Sequence, residues 1–209
     1  MLAEFEGQFE KIICASQADV AHDLCHIKRV VKNATKLAIA EKGALEIVIP
    51  AAWLHDIVSL AKNDPKRALA SGLSADKAID ILQKIDYPEQ YFAGIHHAIA
   101  AHSYSANIVA VSLEAKIVQD ADRLDALGAV GIARCFMVSG ALRRPLYNSE
   151  DPFADDRALD DSRYCIDHFY QKLFQLVENM NTRSAKQIGQ RRYQYMQSFL
   201  LQLRGEIES

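Results

Sequence analysis

Cysteine is scarce in this chain and never clustered. Cys14, Cys25, Cys135 and Cys165 stand far apart with no CxxC between them. That excludes a disulfide framework and points to reduced, mostly buried thiols in a cytoplasmic protein. Long hydrophobic runs are missing too. The longest, Ile47 to Leu54, falls far short of the roughly 20 residues that a membrane span needs. The N-terminal MLAEFEGQFEK is acidic and amphipathic, without the basic start and apolar stretch of a secretory leader. Neither sign of charge dominates: the formal net charge is -3, so no general attraction to nucleic acid or an anionic membrane is expected. Any phosphate binding must therefore be local. Repeats and low-complexity tracts are absent, and strand-like alternation is so scarce that YSANIVAV, residues 104–111, is the one place for a strand.

What remains is helical periodicity. Leu24, Ile27, Val30, Val31, Ala34, Leu37 and Ala38 recur at three- and four-residue spacing, predicting an amphipathic helix that ends near Lys42-Gly43. Residues 46–58 read as a buried helix, apolar on nearly all sides, with Pro50 in its first turn. A polar connection over 62–73 follows, then a helix from a Ser74 cap to Ile85 and another opened by Pro88 and running to about Ala101. Ser112 opens a helix whose inner face is Ile117, Val118, Ala121 and Leu124, and residues 128–138 form a small-residue helix. Residues 139–162 change character, rich in charge and turn formers, and a loop of that length inside a domain is functional or disordered. Arg143, Arg144, Tyr147 and the DPF segment are its candidates for a lid. Two helices, about 163–179 and 184–206, complete an all-α chain.

Within the buried stretch AAWLHDIVSL, His55 and Asp56 stand side by side. A buried carboxylate without a partner costs several kcal/mol or shifts its pKa until it is neutral, so something must compensate the pair. A metal ion would do so, and a hydrogen-bonded pair is the alternative. Other polar residues on apolar faces add weight to the ion. His22 and His26 are one turn apart on the preceding helix. HHAIAAHS brings His96, His97 and His102 within seven residues, and VQDADRLDALG carries Asp120, Asp122 and Asp125 beside a buried stripe. Of the histidines only His168 lies outside these clusters, and it reads as a helix-surface residue. The spacing fits neither a zinc knuckle nor HExxH. Periodicity alone does not say which of these groups meet.

The order HDLCHIKRV, AAWLHDIV, HHAIAAHS, AKIVQDADRLDALGA resembles the HD-domain superfamily of metal-dependent phosphohydrolases over residues 20–135. HSYSA and DPFADDRALDDSRYCIDHFYQKL are similar to its YedJ/YpgQ-like bacterial branch. The resemblance implies a compact helical bundle over residues 1–209 as a single domain, with additional C-terminal helices. It implies one divalent metal held by His26, His55, Asp56 and Asp122, with Asp120 the rival to Asp122. Manganese is the first choice, with Mg²⁺, Fe²⁺, Ni²⁺ and Zn²⁺ as alternatives for such a nitrogen and oxygen set. His22, His97 and His102 are expected to contact substrate, although a second metal or a plain structural role stays open for His97 and His102; His96 is expected to be structural. Phosphoryl transfer calls for cations, and Arg29, Lys62 and Arg123 are the candidates, with Asp120 orienting water.

One departure narrows the substrate. HD is followed here by IVSLAKN, without the Glu-Asp pair of the alarmone hydrolases or the early acidic residue of the nucleotidases. The branch resemblance instead implies hydrolysis of a nucleoside triphosphate with release of pyrophosphate. A nucleoside monophosphate phosphatase and a nucleotide-binding module without turnover are the alternatives, and a di-iron oxygenase is a distant third. A small phosphorylated substrate is the expected partner, with no nucleic acid and no membrane.

Overall fold

In the computed structural model, which describes residues 2–16, 24–60, 64 and 66–208, every regular element is helical. The chain groups into two compact units, Met1–Asp122 and Arg123–Ser209, divided near the end of one helix. Among the described residues no single helix is long and apolar enough to cross a membrane.

The first unit contains α1 (Leu2–Ser16), α2 (Leu24–Glu41), α3 (Leu45–Leu54), α4 (Ala70–Lys84), α5 (Phe92–Ala100) and most of α6 (Leu113–Asp125). The stripe read from the sequence faces inward on α2, and His26 joins it at 1 % exposure. Being apolar all round, α3 must be covered on every side, and α1, α2, α4 and α5 all pack against it. Two fasteners bring α6 onto α2 and its C-terminal turn: Asn33 Nδ2 donates to Ala121 O at 3.4 Å, and Ala44 N–H donates to Glu114 Oε1 at 3.1 Å. Ser112 does cap α6, its Oγ accepting from Ala115 N–H at 3.1 Å.

Several local expectations need correction. The buried helix stops at Leu54 rather than Val58, so the His-Asp doublet lies at its C-terminal edge. Ser74 is not a cap: it is buried inside α4, and its Oγ bonds both the N–H and the C=O of Val58 at 3.1 and 3.2 Å. Those bonds hold the chain out of the helix after the doublet. Pro50 sits in the second turn of α3, where its missing N–H deprives the Glu46 carbonyl of a helical donor. Tyr87 Oη supplies one at 2.7 Å. Residues 107–111 form no strand; Tyr104–Ala106 is a short 3₁₀ turn.

The second unit contains the last residues of α6, then α7 (Gly128–Ala141), α8 (Cys165–His168), α9 (Gln175–Glu178) and α10 (Arg183–Glu208). The single helix expected over 163–179 is interrupted by a π turn, Phe169–Leu173, with Phe174 N–H bonding Phe169 O at 2.9 Å. The wider turn sets Phe169 and Phe174 edge to face at 6.4 Å and lays Phe174 on Tyr193 at 4.8 Å. Cys135 and Cys165 are buried with sulfurs 3.7 Å apart, but Cys14 and Cys25 are exposed, so the thiols are not mostly buried.

The long loop is pinned in place. Asp151 accepts the N–H groups of Asp155, Asp156 and Arg157 at 2.9 to 3.0 Å. Arg157 forks onto the fully buried Asp167 at 2.6 and 2.8 Å. Phe153, the aromatic of the DPF segment, is buried under the Arg204 guanidinium at 4.3 Å. Such anchoring suits a scaffold better than a lid.

Candidate metal centre and adjoining cleft

His55 is fully buried as the residue that closes α3. Its Nδ1 lies 2.8 Å from Ala52 O, and a carbonyl can only accept, so Nδ1 carries the proton and Nε2 presents a lone pair. Nε2 is buried with no hydrogen-bond partner among the described residues. Burial pushes the imidazole pKa down to about 4, against the pull of Asp56, so the ring is neutral near pH 7. A buried, neutral imidazole whose far nitrogen is fixed by a backbone carbonyl is the arrangement that metal-ligating histidines adopt.

The other donors gather round it. Asp56 Oδ2 lies 3.5 Å from His55 Nε2. From α2, His26 brings its ring to 5.5 Å from that of His55, and its Nε2 lies 3.5 Å from Asp122 Oδ1 on α6. One ligand atom each from His26, His55 and Asp56 falls within 4.8 Å of the others. Two neutral-capable imidazoles and carboxylate oxygens suit a divalent ion, whose charge would compensate the desolvated carboxylate. These residues therefore fit a metal.

His102 repeats the pattern of His55 just beyond the end of α5. Its Nδ1–H donates to Ile99 O at 2.7 Å, and its Nε2 faces the second oxygen of Asp56 at 3.3 Å. Burial opposes protonation of His102, but the hydrogen bond and charge of Asp56 outweigh it, with Asp122 and the Ile99 carbonyl adding to them, and raise the pKa above the ordinary value. Gln119 Nε2 bonds Ala101 O at 2.7 Å and ties α6 to this corner.

Not every expected residue arrives. Asp120 is fully buried, and two helix positions separate it from Asp122 by about 200° of rotation, so the carboxylate facing His26 comes from Asp122. His97 Nε2 accepts the N–H of Val111 at 3.1 Å and so anchors the segment before α6 rather than joining the cluster. The Arg123 guanidinium donates to Asn179 O. Arg29 is half-buried one turn after His26. His22 and Lys62 lie outside the described residues. His96 pairs with Asp76 at 2.9 Å, as befits a structural residue, and His168 with Asp161 at 2.8 Å.

Sequence reasoning missed Arg67. A small, half-open cleft lies beside Asp56 and His102, and Ser59, Arg67, Ser103 and Ser105 are among its walls. Arg67 stands on a short 3₁₀ turn after an irregular stretch, where periodicity gives no signal. A cation in the polar connection following the His-Asp doublet was the only clue.

A comparison with protein families finds that the family described as HD domain matches residues 23–127. The chain is 35 % identical over 190 residues to the uncharacterized protein YpgQ of Bacillus subtilis (strain 168), covering 89 % of this chain and 84 % of that protein. Among solved structures, an HD-superfamily hydrolase from Bacillus thuringiensis is 35 % identical, with 98 % of each chain covered and a TM-score of 0.74. Bacillus subtilis YpgQ in complex with ADP is 32 % identical, with 95 % of this chain and 97 % of that chain covered and a TM-score of 0.74.

Proposed function

This chain belongs to the HD domain family and is a metal-dependent phosphohydrolase, and on that premise we propose that it cleaves a nucleoside triphosphate to the monophosphate and pyrophosphate. The observation that carries the reading is the unpartnered Nε2 of His55, converging with His26 and Asp56 beside an open cleft. The ADP held by the Bacillus subtilis relative supports a nucleotide over other phosphorylated metabolites.

In this reading His26, His55, Asp56 and Asp122 hold the ion, manganese first among Mn²⁺, Mg²⁺, Fe²⁺, Ni²⁺ and Zn²⁺. When bound, a divalent ion supplies Lewis acidity to a phosphoryl oxygen and to water. Ala52 O keeps the His55 proton on Nδ1, so that Nε2 stays available as a ligand. His102 braces the second oxygen of Asp56 and lines the cleft, where it meets the phosphate chain. Arg29, with Lys62 and His22, offsets charge on the phosphoryl oxygens. The water oxygen adds to the α-phosphorus and releases a proton to solvent, the bond from that phosphorus to the oxygen bridging it to the β-phosphate breaks, and pyrophosphate leaves. A cytoplasmic setting suits four cysteines that are all free thiols.

Product chromatography tests this. Manganese-loaded protein given a nucleoside triphosphate is expected to yield monophosphate and pyrophosphate in equal amounts. Orthophosphate plus nucleoside from a monophosphate, with triphosphates untouched, would replace the reading with a nucleotidase. No turnover of any nucleotide would leave a binding module.

A further inference from the structure

Arg67 is a cation placed for an anion that the chain itself does not supply. One end of its guanidinium is fixed, with NH1 donating to Leu60 O at 2.9 Å. No carboxylate among the described residues pairs with it, whereas Arg134, Arg157 and Arg204 each hold one, on Asp125, Asp167 and Asp155. The remaining N–H groups belong to a side chain that lines the cleft beside Asp56. Asp56 is the one acid among the described residues of that lining, and its oxygens face His55 and His102.

The rest of the lining narrows the chemistry. Ser103 and Ser105 hydroxyls lie 3.0 Å apart, and either can turn its proton toward an incoming oxygen. Among the described lining residues the one ring is the His102 imidazole, whose nitrogens face Ile99 O and Asp56, so the lining offers charge and hydroxyls more than the stacking surface that a nucleobase favours. A planar guanidinium with free N–H groups and adjacent hydroxyls fits the tetrahedral oxygens of a phosphate. Charge agrees: with a divalent ion held by Asp56 and Asp122, the ion and Arg67 together exceed the two negative charges of those carboxylates, and the cleft becomes net positive.

We propose that this cleft is a phosphate subsite in which Arg67, assisted by Ser103 and Ser105, grips a phosphate group distal to the one attacked. The inference rests on the reading of the cluster as the site of phosphohydrolysis, and it names the part of the substrate that the chain recognises there: the polyphosphate tail, not the base. Charge-assisted hydrogen bonds of this kind are worth about 1.5–3 kcal/mol, which corresponds to roughly 10- to 100-fold in affinity.

The test is calorimetric binding of inorganic tripolyphosphate to manganese-loaded protein, alongside KM for a nucleoside triphosphate. Arg67→Ala should weaken tripolyphosphate binding by roughly 10- to 100-fold, with bound manganese unchanged. Arg67→Gln should do the same while keeping a donor for Leu60 O, which separates loss of charge from a fault in folding. Arg67→Lys should recover part of the affinity, because it keeps the charge but not the fork. Unchanged affinity in Arg67→Gln, or no tripolyphosphate binding by the unaltered protein, overturns the proposal. Binding that depends on Arg67 in a protein that turns over no nucleotide upholds the subsite and overturns the proposed reaction. Triphosphate turnover with the same KM in Arg67→Gln does the reverse.

Discussion

Asp167 in the second unit is enclosed, whereas Asp56 in the first is only half-buried, at the edge of a cleft, and the two meet different partners. In the second unit Asp167 is fully enclosed and saturated: it takes two N–H groups from Arg157 at 2.6 and 2.8 Å and the Asp160 N–H at 2.7 Å. Asp151 draws in three backbone N–H groups, which outweigh its desolvation and hold its pKa below the ordinary carboxylate value. Asp125, at 2 % exposure, is met by Arg134 at 2.7 Å. In the first unit Asp56, about 20 % exposed, faces two imidazole nitrogens at 3.5 and 3.3 Å. Beside it, His55 Nε2 is buried with no hydrogen-bond partner. Buried charge alone does not separate scaffold from site. What separates these two carboxylates is the partner: Asp167 meets a guanidinium and a backbone N–H, whereas Asp56 stands beside the lone pair of a buried imidazole that a ligand could take up.

The largest effects should come from removing the side that would hold the metal. Asp56→Ala or His55→Ala is expected to abolish both bound metal and turnover, as measured by elemental analysis and product formation. Chelation should lower the melting temperature of the unaltered protein, because an ion at about a thousand times its Kd adds roughly 4 kcal/mol to stability. The same treatment should leave the melting temperature of Asp56→Ala where it was. Full metal occupancy and activity in either variant would remove the assignment and erase the contrast between the units.

The complementary variant attacks the satisfied side. Asp167→Ala leaves the Arg157 guanidinium without its buried partner, which should cost about 3–5 kcal/mol. Denaturant unfolding should show that loss, while bound metal per folded chain stays unchanged. Metal loss with intact stability would show that Asp167 had been placed in the wrong class.

The sequence showed which groups were costly to bury, and it showed less well what they would meet. The inward stripe of α2, His26 included, could be read because three- and four-residue spacing survives folding unchanged. The doublet at 55 and 56 stood out by contrast with its apolar surroundings. Its helix was read four residues too long because Ser74, which captures Val58, lies 16 residues away and leaves no mark on local pattern. His97 and His102 looked equivalent in HHAIAAHS, and only the fold gave one of them the Val111 N–H and the other Asp56. The charged loop was read as a lid for the same reason. Its acids and arginines are exposed by composition, but Arg204, which holds Asp155, comes from a helix 49 residues further on. Spacing reveals faces; it does not reveal long-range donors.

The smallest effect tests whether the chain repairs an unpaired group when it has the means. Pro50 leaves Glu46 O without its helical donor, and Tyr87 Oη fills the place at 2.7 Å. Tyr87→Phe should therefore destabilise the protein by about 1–2 kcal/mol, mostly the cost of the stranded carbonyl. In a Pro50→Ala background the backbone N–H of residue 50 can return to Glu46 O, so the same substitution should cost markedly less, and the double-mutant cycle should show coupling of about 1 kcal/mol. A pH signature accompanies the bond. Burial, with a smaller contribution from Glu46, raises the Tyr87 pKa from 10.0 to about 12, so the folded state holds this proton more tightly than the unfolded chain. The resulting stability is fully present below pH 10 and declines as pH rises from 10 through about 12. Tyr87→Phe should lack that part of the alkaline slope. Additive costs in the cycle, or an identical slope in the variant, would mean that Tyr87 merely packs against α3 and does not repair Glu46 O.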